Sequence, residues 1–128
     1  MNRSEMMAAV RSKNTKPEML VRRLAHRMGY RYRLHRADLP GKPDLVFPSR
    51  RKVIFVHGCF WHQHSGCPFS HVPKSNVAYW APKLERNQAR DREHMRALRA
   101  DGWKCLVLWE CELNKSARLL RRISKFLG

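Results

Sequence analysis

Apolar positions along this chain fall into two rhythms. Leu20, Val21, Leu24 and Met28 recur at helical spacing. Thr15-Lys-Pro-Glu18 ahead of them has the form of a capping box with proline in the first turn, and Gly29 behind them supplies a stop. A shorter helix is expected over residues 4–10, carrying Met6, Met7 and Val10. Tyr30, Tyr32 and Leu34 alternate with Arg31 and Arg33, the pattern of a half-buried strand. Beyond the turn Pro40-Gly41-Lys42-Pro43 come two apolar runs, residues 44–47 and 52–56, separated by Pro48-Ser49-Arg50-Arg51. They predict a hairpin of buried strands.

The second half returns to helical spacing. A helix is expected from about residue 75 to 100, with Pro82 breaking or bending it. Trp80, Leu84, Met95 and Leu98 mark its inner face. Asn87 and Asp91 fall on the same stripe, so two polar groups point where apolar ones belong. Gly102 ends the helix, residues 103–109 form a buried strand, and residues 113–127 form a terminal amphipathic helix. The order helix, three strands, helix, strand, helix predicts a mixed α/β sandwich. With no repeat or linker to divide it, residues 1–128 are expected to form one domain.

Charge sharpens this picture. Lys and Arg outnumber Asp and Glu 27 to 10, a net charge of +17 spread along the whole chain. Neutralising phosphates releases counterions, so the partner to expect is nucleic acid. No apolar run approaches a bilayer span, and the N-terminus lacks the apolar stretch of a signal peptide. A cytoplasmic protein is expected, in which cysteines serve as metal ligands or buried thiols and not as disulfides.

The densest chemistry lies in His57-Gly-Cys-Phe-Trp-His-Gln-His-Ser-Gly-Cys67. Four of the seven histidines and two of the four cysteines fall between His57 and His71. Cys59, His64 and Cys67 present soft sulfur and imidazole ligands in one loop, which suits zinc. Cys111, just past the end of the last strand, can supply a fourth ligand. Cys105 lies within that strand and reads as a small apolar group. A closed Cys3His site is structural, and here it would stabilise the loop that carries Phe60, Trp61 and His62. His62 competes with His64 for the ligand role, and His57 is either a strand end or a further candidate ligand.

Asp44 opens a strand after a proline turn, as the first acid of magnesium-dependent nucleases does, although Pro-Asp pairs also start ordinary turns. A magnesium ion on Asp44 could bind a scissile phosphate and stabilise the charge developing there. His62 could take a proton from water, and Asp91 could orient its imidazole. Glu18 reads equally as a capping acid or as a member of the site. Phe60 and Trp61 are either core or a wedge that unstacks bases.

These residues carry a resemblance. Leu39-Pro-Gly-Lys-Pro-Asp44, Val53-Ile-Phe-Val-His57-Gly-Cys-Phe-Trp-His62-Gln-His64, Asn87-Gln-Ala-Arg-Asp91-Arg and Gly102-Trp-Lys-Cys-Leu-Val-Leu-Trp-Glu-Cys111 are similar to motifs of the very short patch repair (Vsr-type) DNA mismatch endonucleases. Arg11-Ser-Lys-Asn and Pro17-Glu18 fit their N-terminal helices. The resemblance implies a single-domain, restriction-endonuclease-like mixed sheet flanked by helices, with a zinc-bound loop. It implies a monomer that binds double-stranded DNA containing a T:G mismatch left by deamination of 5-methylcytosine. It implies nicking 5′ to the thymine, which starts repair. Magnesium would sit on Asp44 and the Val56 carbonyl, with His62 as general base and Glu18, His57 and Asp91 assisting. Zinc would sit on Cys59, His64, Cys67 and Cys111. Met7, Phe60, Trp61 and Asn87 would meet the DNA. The chain departs from the family pattern at Val56, where threonine is expected, and in a loop one residue longer between His64 and Cys67.

Overall fold

The structure, a computed structural model, describes residues 15–128; the helix expected over 4–10, and Met7 with it, lies outside the described residues. Helix α1 (Lys16–Arg27) starts at Thr15, whose Oγ1 accepts the Glu18 N–H at 3.3 Å. Its last turn carries Arg27, a cation placed at the negative end of the helix dipole. Strands β1 (Arg33–Leu34), β2 (Leu45–Phe47), β3 (Lys52–His57) and β4 (Lys104–Trp109) form one sheet in the order β1-β2-β3-β4. The first two pairings are antiparallel and β3 pairs β4 in parallel. Helix α2 (Val77–Ala100) makes the crossover between the parallel strands, and α3 (Ser116–Leu127) follows β4.

The side-chain period of two sorts the sheet into two faces. Leu45, Phe47, Ile54 and Leu108 pack under Val21 and Leu24 of α1 and under Leu119, Ile123 and Leu127 of α3. Val46, Val53 and Phe55 point the other way, against Leu98 of α2 and Trp103. The result is helix, sheet, helix in three layers: the expected mixed α/β arrangement. Truncating a fully buried residue such as Ile54 to alanine costs about 2–5 kcal/mol, since the neighbours close a cavity only in part.

Two boundaries differ from the sequence pattern, and Pro82 does not break its helix, each for a local reason. The strand expected over residues 30–34 is reduced to Arg33–Leu34. Pro43 and Pro48 bracket β2, and proline donates no ladder hydrogen bond, so β2 has only three residues to pair. Tyr30 and Tyr32 instead set their ring edges against Phe47, with centroids 6.4 and 6.2 Å apart. Helix α2 runs unbroken through Pro82. The carbonyl that proline leaves without a donor belongs to Ala78, an exposed residue that water can serve. Finally, α3 begins at Ser116 and not near 113. A 3-10 turn over Glu110–Glu112 intervenes, fixed by the Trp109 N–H on Glu112 Oε1 at 3.1 Å and by Arg122 on the same carboxylate.

Candidate active site and metal centre

The functional side chains gather at one end of the sheet, where β2 begins and the parallel pair β3–β4 ends. This is where an α/β sheet exposes strand ends to a crevice. A cleft of about 500 Å³ lies there, lined among others by His35, Lys42, Asp44, Val56, His57, His62, Asp91 and His94. Its rim depends on a turn of unusual backbone. Gly41 has φ +76°, and a Cβ on it would lie 3.1 Å from His94 Cβ and Nδ1, so only glycine lets the turn tuck beneath α2.

Asp44 sits at the foot of β2. The β2–β3 ladder ends at Leu45↔Ile54, so the Val56 N–H finds no strand partner on that side. Asp44 Oδ2 accepts it at 2.7 Å. Because the N–H and C=O of one residue point to the same side of an extended strand, the Val56 carbonyl also faces Asp44. Glu18 of α1, 1% exposed, lies beside it, gripped by Arg22 and with His35 Nε2 2.8 Å away. Ligand atoms of Glu18, His35 and Asp44 all fall within 4.8 Å of one another. Burial, together with the neighbouring Glu18 charge, pushes the Asp44 carboxyl up to about 7, against the pull of the Val56 N–H. Burial also acts to raise Glu18, but His35 and Arg22 overcome it and hold Glu18 below the usual carboxylate range. Two adjoining carboxylates, one of them reluctant to ionise, mark a place short of positive charge. That oxygen-rich donor set, with a backbone carbonyl beside it, fits a hard divalent cation.

His57, at the end of β3, is 5% exposed and wedged between Phe55 and Trp109. Its ring stacks on His62, centroids 3.8 Å apart and planes within 8°. Burial, and the nearby His62, push its pKa down to about 3, so it stays neutral. His62 Nδ1 donates to Asp91 Oδ2 at 2.6 Å. That bond fixes the tautomer and leaves Nε2 as the free acceptor. The two inward polar positions of α2 thus have partners: Asp91 holds His62, and Asn87 Nδ2 donates to the Trp61 carbonyl at 3.2 Å.

Below the cleft, Cys59, His64, Cys67 and Cys111 bring their ligand atoms within 4.8 Å of one another. His64 Nδ1 lies 3.3 Å from Cys111 Sγ and 3.8 Å from Cys59 Sγ. A tetrahedral zinc ion with ordinary bond lengths sets sulfur and nitrogen ligands about 3.6 Å apart, between those two distances. The His64 ring is braced face to face on Trp109, with centroids at 4.2 Å. Burial pushes the Cys59 thiol up to about 12 and raises Cys111 too, so these sulfurs ionise only with a cation among them. The four residues fit a structural metal. Cys105 stays apart in β4, its thiol also raised by burial.

The loop carrying these ligands folds on itself: the His62 and His64 N–H groups bond the Gly58 and Cys59 carbonyls. Gln63 adopts φ +49° and ties the Phe60 and Ser70 carbonyls with its amide. Phe60 and Trp61 emerge half-buried, edge-on to the buried Trp80, with centroids at 5.2 and 5.8 Å. Lys83 Nζ lies 5.7 Å from the centroids of both the Trp61 and Tyr79 rings. Sequence reasoning missed His35, His94 and Lys42 in the cleft and Trp109 behind both imidazoles. His35 carried one usable sign, a polar residue at the tip of a strand next to the turn into Asp44.

The class so defined is a basic mixed α/β protein with an acid–imidazole cleft braced by a Cys3His cluster. Comparison with known proteins makes it specific. A family model described as DNA mismatch endonuclease Vsr matches residues 1–67. The chain is 56% identical to the type II nicking enzyme V.XorIIP of Xanthomonas oryzae pv. oryzae over 125 residues, 98% of this chain and 91% of that protein. It is 42% identical to the type II nicking enzyme V.NmeAIP of Neisseria meningitidis serogroup A, over 98% of this chain and 89% of that one. It is 38% identical to the DNA mismatch endonuclease Vsr of Escherichia coli K12 over 117 residues, 91% of this chain and 74% of that protein. The chain belongs to the Vsr family of DNA mismatch endonucleases. Among the described residues no helix is long and apolar enough to cross a membrane.

Proposed function

We propose that this protein is a monomeric, magnesium-dependent endonuclease with a restriction-endonuclease-like core. It nicks double-stranded DNA 5′ to the thymine of a T:G mismatch and so initiates very short patch repair. The observation that carries the reading is the single cleft shared by Asp44, Val56, His57, His62 and Asp91. Asp44 and the Val56 carbonyl hold the magnesium ion, which supplies charge stabilisation to the phosphoryl oxygens when bound. His62, kept by Asp91 in the tautomer with Nε2 free, accepts the proton of the attacking water. The water oxygen bonds to phosphorus and the bond to the leaving sugar oxygen breaks. His57 is a neutral plate that fixes the His62 ring plane. Glu18 assists from beside Asp44.

The Cys59, His64, Cys67 and Cys111 cluster holds zinc and stiffens the loop bearing His62. Phe60 and Trp61, backed by Trp80, enter the stack beside the mismatch, and Asn87 sets their height through the Trp61 carbonyl. Met7, outside the described residues, joins them in this reading. The test is a nicking assay on one labelled sequence built as T:G and as T:A duplexes, with and without magnesium. Nicking of T:G alone, and only with magnesium, is expected. Equal cutting of both duplexes removes the mismatch assignment. DNA binding without any cutting leaves a zinc-containing DNA-binding module.

A further inference from the structure

His35 has no part in the proposed reaction, yet it stands beside the carboxylate pair. The register places it there. Strand β1 pairs with β2 through Arg33↔Val46 and Leu34↔Leu45, so the next residue on β1 falls opposite Asp44. His35 reaches that point with φ +46°, the left-handed region that costs a non-glycine residue about 1 kcal/mol. Its side chain lines the cleft, and its buried Nε2 lies at ion-pair distance, 2.8 Å, from Glu18 Oε2, while forming no aligned hydrogen bond among the described residues. Glu18 Oε2 is also the oxygen held by Arg22. One oxygen of a buried carboxylate is therefore met from two sides, by Arg22 of α1 and by His35 just past β1, beside the carboxylate of Asp44.

We infer that His35 is a positioning residue of the metal centre: its contact with Glu18 Oε2 holds the Glu18 carboxylate next to Asp44, so that the pair faces a divalent cation together. Left alone, two adjoining carboxylates repel. An imidazole nitrogen 2.8 Å from Oε2 offsets part of that repulsion and keeps the carboxylate in place. Partners of this kind typically contribute about 10–100-fold in metal affinity. This inference rests on the reading that the cation binds at Asp44.

The test measures Mn²⁺ binding to the full chain without DNA, from the electron paramagnetic resonance signal of free Mn²⁺. Wild type, Asp44→Ala, His35→Ala and His35→Gln are compared, each with its melting curve. Alanine and glutamine bear the same backbone strain at φ +46°, but the glutamine amide reaches about as far as Nε2 and keeps a donor for Glu18. The expected result is binding by wild type, loss in D44A, weakening on the order of tenfold or more in H35A, and recovery to within about threefold in H35Q. H35A binding Mn²⁺ as tightly as wild type overturns the role of His35 while the cation site stands. Undiminished binding in D44A overturns the site itself. Equal weakening in H35A and H35Q, tracking lowered melting points in both, shows His35 to be structural only and also overturns the inference.

Discussion

His57 and Trp109 are direct partners in the parallel β3–β4 ladder, and each is followed two residues later by a cysteine, Cys59 and Cys111. Parallel pairing makes both strands end at the same pole, so two cysteines 52 positions apart in the chain arrive side by side. His64 and Cys67 then close the cluster from the loop. The same ladder step sets His57 against Trp109 on the cleft side. Cleft and cluster share one piece of backbone, so loss of the cluster is felt in the cleft.

Cys111→Ser therefore tests the cluster. The wild-type chain is expected to carry about one zinc per molecule, released to a colorimetric indicator on thiol modification. C111S is expected to lose that zinc and to melt about 10 °C lower, as the loss of some 3 kcal/mol implies for a domain of this size. Cys105→Ser, outside the cluster, is expected to keep its zinc. Retention of a full equivalent by C111S would sink the assignment.

Half-buried Asp44 and buried His57 give opposite pH slopes. An unfolded aspartate ionises near 3.8, but folded Asp44 keeps its proton up to about 7, so folding takes up a proton in that window and the metal-free protein loses stability as pH rises through it. An unfolded histidine gains its proton near 6.5, but folded His57 stays neutral down to about 3, so stability is lost as pH falls between those values. The two nearly cancel in the wild type. Asp44→Asn should uncover a decline toward acid and His57→Leu a decline toward neutral pH, each at most about 1.4 kcal/mol per pH unit. Urea unfolding from pH 4 to 7 without added magnesium checks this; parallel curves for the two variants contradict it. At pH 8, D44N should also be more stable than wild type while losing its nicking activity, as expected where a site is strained for function.

Most of the framework was readable from periodicity, because the core is built by ordinary alternation. Leu45, Val46 and Phe47 sort to opposite faces of the sheet, and Leu119, Ile123 and Leu127 lie on one stripe of α3. The loop ligands could be proposed from composition, because Cys59, His64 and Cys67 crowd into nine residues. Asp91 showed itself as a polar residue on an apolar stripe. His35 offered only the sign of a polar residue at a strand tip, because its place opposite Asp44 depends on the β1–β2 register, and two prolines trim that ladder to two pairs. Trp109 was hidden for a similar reason: its stacking on His64 and its contact with His57 follow from parallel pairing, which no local pattern encodes.

The His62–Asp91 bond carries a prediction about rate. With Nδ1–H donated to Asp91, Nε2 is held ready to accept a proton. Asp91→Asn can present its amide N–H to Nδ1 and favour the opposite tautomer, leaving a proton where the acceptor should be. Single-turnover nicking by D91N is expected to fall about 10²-fold or more, and by His62→Ala at least as far, with DNA affinity within about threefold of wild type. The double variant should be no slower than H62A, since both act through one imidazole. Multiplicative losses in the double variant would show that Asp91 acts elsewhere.

The aromatic pair should separate binding from fold. Phe60 and Trp61 are half-exposed, and Trp80 behind them is buried, so the three rings do different work. Trp61→Ala is expected to weaken binding to a mismatched duplex by about 1–3 kcal/mol, the usual contribution of one stacked base, with little change in melting temperature. Trp80→Ala removes a buried ring and should cost about 3–5 kcal/mol of stability. Electrostatics acts on every duplex alike: with 27 Lys and Arg in the chain, affinity for matched and mismatched DNA should fall in parallel as salt rises from 50 to about 200 mM. The W61A defect should therefore persist at each salt concentration, because stacking does not displace counterions. Fluorescence anisotropy on both duplexes across that series tests the separation, and a defect that vanishes at high salt would place Trp61 outside the base stack.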